Sequence, residues 1–190
     1  MQSIGCGIIV GDDKKTIRAC LASIHDHVDQ IVVAIQSNTS QETIDEIKAG
    51  SDKTEIVQFG DWIDDFAAKR NFCFSHLHTD WLLWIDADDI VIHPENLRVL
   101  AEGTLPNIGG VWFPYAYASD EFGNDTMLYE RERLLRASCG WIWKGRLHET
   151  VSPLHQCQYV RTDQVVIKHF GDSGGQNRND RNFRILEIMY

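Results

Sequence analysis

The sequence predicts an α/β protein with a mostly parallel central sheet flanked by helices, and three observations carry that expectation. Short apolar or β-branched runs at Ile4 to Val10, Gln30 to Ile35, Glu55 to Phe59 and Trp81 to Ile85 alternate with helical spacing over the first half of the chain. The intervals are short enough for β-α-β units, which build parallel sheets covered on both faces. The fourth run, WLLWIDADDIVI, passes directly into three carboxylates, Asp86, Asp88 and Asp89. Sheets of this class bind ligands beyond the carboxyl ends of their strands, which is where those carboxylates fall.

Each element has a local reason. Gly11-Asp12-Asp13 closes the first strand as a turn or helix cap, and Ile17, Cys20, Leu21 and Ile24 then repeat at helical spacing. QIVVAI is uninterrupted, as in a strand buried on both faces. Ser40 is placed to cap the next helix, which Gly50 ends. Asp65 to His76 reads as a helix with Phe66, Phe72 and Cys73 on one side, and Glu95 to Glu102 as another after Pro94. Beyond it the texture changes. Val111 to Ala118 and Glu130 to Arg136 read as strands flanking a loop at Asp120 to Asp125, Val165 to Phe170 is a further apolar run, and Asn177 to Tyr190 is charged and then helical. The chain stops there without a stop signal and reads as a piece of a longer protein.

A length of 190 residues, 43% hydrophobic and 24% charged with four prolines, suits one domain with a substantial core. Net charge of -10 argues against nucleic-acid binding, which calls for a basic face. An anionic ligand would therefore need a metal or a few placed arginines. Five cysteines occur with no CxxC pair, as expected of buried thiols in a reducing cytosol rather than a disulfide framework. There is no basic leader and no run of about 18 apolar residues, so no membrane span is expected, and the location expected is cytoplasmic.

Three carboxylates this close together repel one another and are costly to desolvate. Solvent, basic neighbours or a bound cation must offset that cost. No basic residue lies within seven positions on either side, which favours the cation, and hard carboxylate oxygens suit Mg2+ or Mn2+. A solvated acidic turn is the alternative.

The span DWIDDFAAKRNFCFSHLHTDWLLWIDADD resembles the family 2 glycosyltransferases of the GT-A fold, whose short members carry a W-x-D-D-F-x-x-x-R-N helix followed by a strand ending L-D-A-D. GIIVGDDKKTIRACLASI, VDQIVVAIQSNTSQETIDEI, WIWKGRLHETV and VIKHFG extend the likeness over nearly the whole chain. The resemblance implies one GT-A domain. Residues 1–93 would form the nucleotide-sugar-binding half, and residues 94–190 a smaller acceptor-side half.

It further implies a metal-dependent, inverting transferase of the hexosyltransferase type that uses Mn2+ or Mg2+ and a UDP- or GDP-sugar, with the acceptor unspecified. Asp65 and Arg70 would lie at the nucleotide end of the donor, unless Asp65 merely caps its helix. Asp86 would face the ribose or a metal-bound water, Asp88 would ligate the metal, and His169 would complete the shell, with His148 as its competitor. Glu149 would be the general base. Asp89 is expected in solvent or on the acceptor side, outside the metal shell. Arg131, Arg133, Arg136 and Arg146 read either as a solvated edge or as partners of the diphosphate, and Trp141 and Trp143 as packing under the acceptor loops. The chain departs from the family pattern at AIQSNTSQ, where Gln36 and Asn38 replace carboxylates that read the base. Two rivals remain: a haloacid-dehalogenase-type phosphohydrolase, which also ends an apolar strand in D-x-D, and a nucleotide- or carbohydrate-binding module without turnover.

Overall fold

A computed structural model describes residues 1–170 and 176–189. Its first half follows the alternation read from the sequence: β1 (Ile4–Ile9), α1 (Ile17–Ile24), β2 (Gln30–Gln36), α2 (Gln41–Gly50), β3 (Thr54–Gly60), α3 (Phe66–Phe74) and β4 (Trp81–Asp86). The second half comprises β5 (Asp89–Ile92), α4 (Asn96–Gly103), β6 (Ile108–Ser119), β7 (Asp125–Arg136), β8 (Trp141–Lys144), β9 (Thr150–Pro153), β10 (Gln158–Arg161), β11 (Val166–His169) and α5 (Gln176–Met189). The helical tail is as expected up to Met189, whereas Tyr190 and the glycine that ends VIKHFG, Gly171, lie outside the described residues.

The main sheet runs β3-β2-β1-β4-β7-β6-β11-β5, with β10 also paired to β6, and β8 and β9 form a separate ribbon. The pairs β1–β2, β2–β3 and β1–β4 are parallel. The order therefore reverses between β1 and β4, and the carboxyl ends of those two strands frame a crevice.

Alternation along the strands separates two cores. Ile4, Cys6 and Ile8 of β1 join Ile17, Leu21 and Ile24 of α1 and Leu97 of α4 on one face. Val32, Ala34, Leu82 and Trp84 join Ala67 and Cys73 of α3 on the other. On that second face β1 presents Gly5 and Gly7, with Ile9 at its end. A Cβ on Gly5 would lie 2.5 Å from Thr79 Oγ1, so α3 and the turn after it approach the sheet to a distance no side chain would permit. This close seat brings Lys69 and Arg70 of α3 over the crevice.

Two helix starts behave as their sequences imply. The Ser40 hydroxyl accepts from Thr43 N, and the Asp65 carboxylate accepts from Ala68 N at 2.8 Å. Asp65→Ala should therefore destabilise the fold by about 1 kcal/mol, read as a lower urea midpoint with an unchanged m-value.

Candidate active site

The acidic cluster is assembled by pairing between distant parts of the chain. β4 ends at Asp86, a tight turn follows, and β5 pairs antiparallel with β11 so that Asp89 lies opposite His169. Phe170 N donates to the Asp88 carbonyl at 2.8 Å, which fixes the turn against the end of β11. One ligand atom from each of Asp88, Asp89 and His169 falls within 4.8 Å of the others. His169 Nδ1 stands 3.5 Å from Asp88 Oδ1 and 3.3 Å from Asp89 Oδ1.

Two carboxylate oxygens and an imidazole nitrogen could hold a divalent cation. The other ring nitrogen, Nε2 of His169, is buried without a hydrogen-bond partner. A hydrogen bond from His169 Nδ1 to the Asp89 carboxylate, opposed by burial and aided by the Asp88 charge, raises the His169 pKa above its ordinary value. The ring lies flat on Tyr117, with centroids 5.1 Å apart and planes 10° apart.

The cost of gathering these carboxylates is offset by cations that the local sequence does not contain. Asp89, expected in solvent or on the acceptor side, is fully buried, so solvent does not reach it. It accepts from Asp86 N at 3.0 Å and from Tyr115 Oη at 3.1 Å, and Arg133 stands 3.5 Å away. β5 returns across the sheet to pair with β11, which carries Asp89 inward.

Arg133 is not part of a solvated edge. The β6–β7 register shifts between Val111 and Trp112, leaving Arg133 without a cross-strand partner. That bulge turns its side chain into the core, where it sits over the rings of Trp84 (3.8 Å) and Tyr115 (4.4 Å). Arg136 is likewise occupied: it packs over Trp81 and donates to the Ile108, Thr104 and Leu105 carbonyls.

Arg70 joins the cluster to the candidate base. Its NH2 group donates to Asp86 Oδ1 at 2.6 Å and its Nε to Glu149 Oε1 at 2.7 Å. The guanidinium lies 4.8 Å from the ring centroids of both Trp84 and Trp143. Burial opposes a charge on Asp86, but Arg70 and Arg133 outweigh it and hold the carboxyl down at about 2. Asp86 is outside the Asp88–Asp89–His169 group, and its Oδ1 accepts from Arg70.

Asn71, the next residue of the motif, accepts from Trp143 N at 2.8 Å and donates to the Trp143 carbonyl at 3.0 Å. Arg146 is tied the same way, its carbonyl accepting from Phe66 N and its guanidinium donating to the Ile63 carbonyl. The β8–β9 ribbon is thus fastened to α3, and the loop at its tip turns through Gly145 (φ 93°) and His148 (φ 54°) to aim Glu149 at Arg70. Trp143 packs edge-on against Trp84 at 4.8 Å, beneath the loop as expected.

One cleft of about 530 Å3 is lined by Gly11, Gln36, Arg70, Asp88, Glu149 and His169, among others, while Asp89 is buried and does not line it. His148 lines it as well, from outside the Asp88–Asp89–His169 group. Asp65 is not among the lining residues, and its carboxylate accepts from Ala68 N at the start of α3. Asn38 is exposed on the turn after β2, whereas Asp12 and Asp13 bring carboxylates to the same end of the cleft.

Sequence reasoning passed over Lys69 and Tyr115, which also line the cleft. Lys69 is buried with its Nζ on the Val10 carbonyl, and burial, partly opposed by Asp13, lowers its pKa to about 8. The signal for it was the second cation in AAKRN, on a helix otherwise apolar where it meets the sheet.

The described residues contain no helix long and apolar enough to cross a membrane. The family model described as Glycosyl transferase family 2 matches residues 8–174. The SPbeta prophage-derived glycosyltransferase SunS of Bacillus subtilis (strain 168) is 35% identical over 195 aligned positions, covering 98% of this chain and 45% of SunS. This chain thus spans less than half the length of that relative. A TPR repeat-containing protein of Synechococcus elongatus is 32% identical over 92 residues, 48% of this chain and 22% of its own length.

Among solved structures, glucosyl-3-phosphoglycerate synthase from Mycobacterium tuberculosis, crystallised with Mn2+, uridine-diphosphate and phosphoglyceric acid, superposes with a TM-score of 0.60 at 13% identity. That match covers 99% of this chain and 77% of the synthase. S. aureus TarS 1–349 in complex with UDP gives a TM-score of 0.52 at 12% identity, over 63% of this chain and 37% of TarS. At such identities the likeness speaks to fold alone.

Proposed function

The chain belongs to glycosyl transferase family 2, as a glycosyltransferase of the GT-A fold, and we propose that its cleft takes a nucleoside-diphosphate sugar with a divalent cation and transfers the sugar with inversion. The observation that carries this reading is the arrangement in one cleft. Asp88 and His169, together with the buried Asp89, form a cation-type donor set, and Glu149 lines the same cleft, joined to Asp86 through Arg70.

Asp88, Asp89 and His169 would hold the cation, and Asp86 would face the ribose or a water on the metal. When bound, the cation supplies Lewis-acid stabilisation of the diphosphate leaving group. Glu149 takes the proton of the acceptor hydroxyl as that oxygen attacks the anomeric carbon, and Arg70 orients the carboxylate for this. A single displacement with no enzyme-linked sugar inverts the centre. Residues 1–93 form the donor half and residues 94–190 the acceptor-side half.

UDP is the nucleotide to test first, since the two fold neighbours named above were crystallised with it. Gln36, with Asp12 and Asp13, lies where a base would be read. The phosphohydrolase reading finds no support in the family match. The binding-module reading is the remaining contrast.

A thermal-shift screen of UDP-, GDP-, CMP- and dTDP-sugars with Mn2+, Mg2+ or EDTA tests the donor site. The expected result is a rise in Tm with a UDP-sugar and Mn2+ that EDTA abolishes and Asp88→Ala lacks. At one hundred times the dissociation constant the stabilisation is about 2.7 kcal/mol. No shift with any nucleotide under either metal would remove the donor reading.

A further inference from the structure

The β8–β9 ribbon that carries Glu149 is flanked by two cysteines, Cys139 shortly before β8 and Cys157 in the turn between β9 and β10. Their thiols converge on the same point. A Cβ added to Gly109 of β6 would overlap both sulfurs, so the absence of a side chain there leaves the space they share. Both sulfurs thus lie against the same bare stretch of β6 backbone.

The backbone holds this juxtaposition on either side. Leu154 N donates to the Gly140 carbonyl at 2.7 Å, His155 N to the Cys139 carbonyl at 2.9 Å, and Gln158 N to the Asn107 carbonyl at 3.0 Å. Cys139 is 9% exposed and Cys157 is partly exposed. The other three cysteines are buried.

We propose that Cys139 and Cys157 are an oxidisable dithiol that a low-molecular-weight disulfide converts to an intramolecular disulfide, stapling the root of the Glu149 ribbon. The step balances as thiol–disulfide exchange. The Cys157 thiolate attacks one sulfur of oxidised glutathione and releases glutathione thiolate. Cys139, once deprotonated, then attacks the Cys157 sulfur of the mixed disulfide and releases the second glutathione. Two protein thiols are oxidised, one glutathione disulfide is reduced to two thiols, and the two protons pass to the departing glutathiones.

Burial, reinforced by the Cys139 thiol, pushes Cys157 up to about 11. The attacking thiolate is therefore scarce near neutrality, and oxidation should accelerate about tenfold per pH unit up to pH 10. A thiol of high pKa is also a poor leaving group, so the bond once formed is released slowly by reductant. The pair behaves as a staple with slow kinetics rather than a rapid switch.

The test uses the whole chain with oxidised glutathione at pH 7, 8 and 9, alkylation of the remaining thiols, and non-reducing peptide mapping by mass spectrometry. The expected product joins the peptides of Cys139 and Cys157 and forms faster at each higher pH. Its Tm should be about 5–10 °C higher, and dithiothreitol should reverse the rise. Cys157→Ser should show neither change. A stable glutathione adduct on Cys157 with no cross-link would overturn the proposal, as would cross-linking through Cys6, Cys20 or Cys73. A native protein whose Cys157 resists oxidation at pH 9, while the urea-unfolded chain reacts, would overturn it equally.

Discussion

Arg70→Met should destabilise the protein by about 3 kcal/mol, the low end of what removing one member of a buried ion network costs. The Arg70 side chain is 6% exposed, Glu149 13% and Asp86 32%, so solvent can relieve Asp86 in part but Glu149 hardly at all. Methionine fills the space between Trp84 and Trp143 without replacing the charge or its donated hydrogen bonds. The loss should therefore be read as electrostatic rather than as a cavity. The measurement is urea unfolding of both proteins across pH.

The pH dependence has a definite sign. The Asp86 pKa is depressed to about 2 in the folded protein, so its contribution to stability is fully present above the unfolded carboxylate range and is lost as pH falls through about 2. Without Arg70, burial acts on Asp86 opposed chiefly by Arg133, and its pKa rises. The stability gap between the two proteins should then narrow as pH falls below about 4, because Asp86 in the variant is already protonated. A gap that stays constant from pH 7 to 3 would mean that Arg70 acts through packing alone.

The two arginines around the carboxylates mark where the sequence stopped being legible. β1 to β4 could be read because each strand and helix carries its own periodicity and its own stop, so no distant residue was needed to recognise it. The W-x-D-D-F-x-x-x-R-N span could be recognised but its duties could not be divided. Asp65 caps, Arg70 bridges two carboxylates, and Asn71 braces Trp143, all depending on segments far away in sequence.

The absence of a basic residue within seven positions of Asp86 to Asp89 was true and insufficient, since α3 and a bulge in β7 deliver Arg70 and Arg133. A one-residue bulge leaves no mark in hydrophobic periodicity. The burial of Asp89 was missed for a related reason. Only the pairing of β5 with β11 buries it, and pairing across nearly eighty residues has no local signature. β8, β9 and β10 escaped notice because each is four residues long and β10 is exposed throughout, too short for a period to register.

Glu149→Gln should lower kcat by about 10^2–10^4-fold, the range over which general acid–base groups act, while leaving donor binding in place. The amide oxygen of glutamine can still accept from Arg70 Nε, and the tie between α3 and the β8–β9 ribbon through Asn71 and Trp143 is untouched. The fold and the Mn2+-dependent stabilisation by a UDP-sugar should therefore survive.

That combination separates two roles which the geometry joins in a single carboxylate. If Glu149 serves only as a counter-ion for Arg70, the variant should lose stability and keep its turnover. If it removes the acceptor proton, turnover should fall with KM for the donor nearly unchanged, because the lost interaction belongs to the transition state rather than to ground-state binding. Release of UDP from the donor in single-turnover reactions, measured beside the Tm of the same preparations, reads both quantities. A rate within a few-fold of the unmodified protein would assign the base to another group in the cleft.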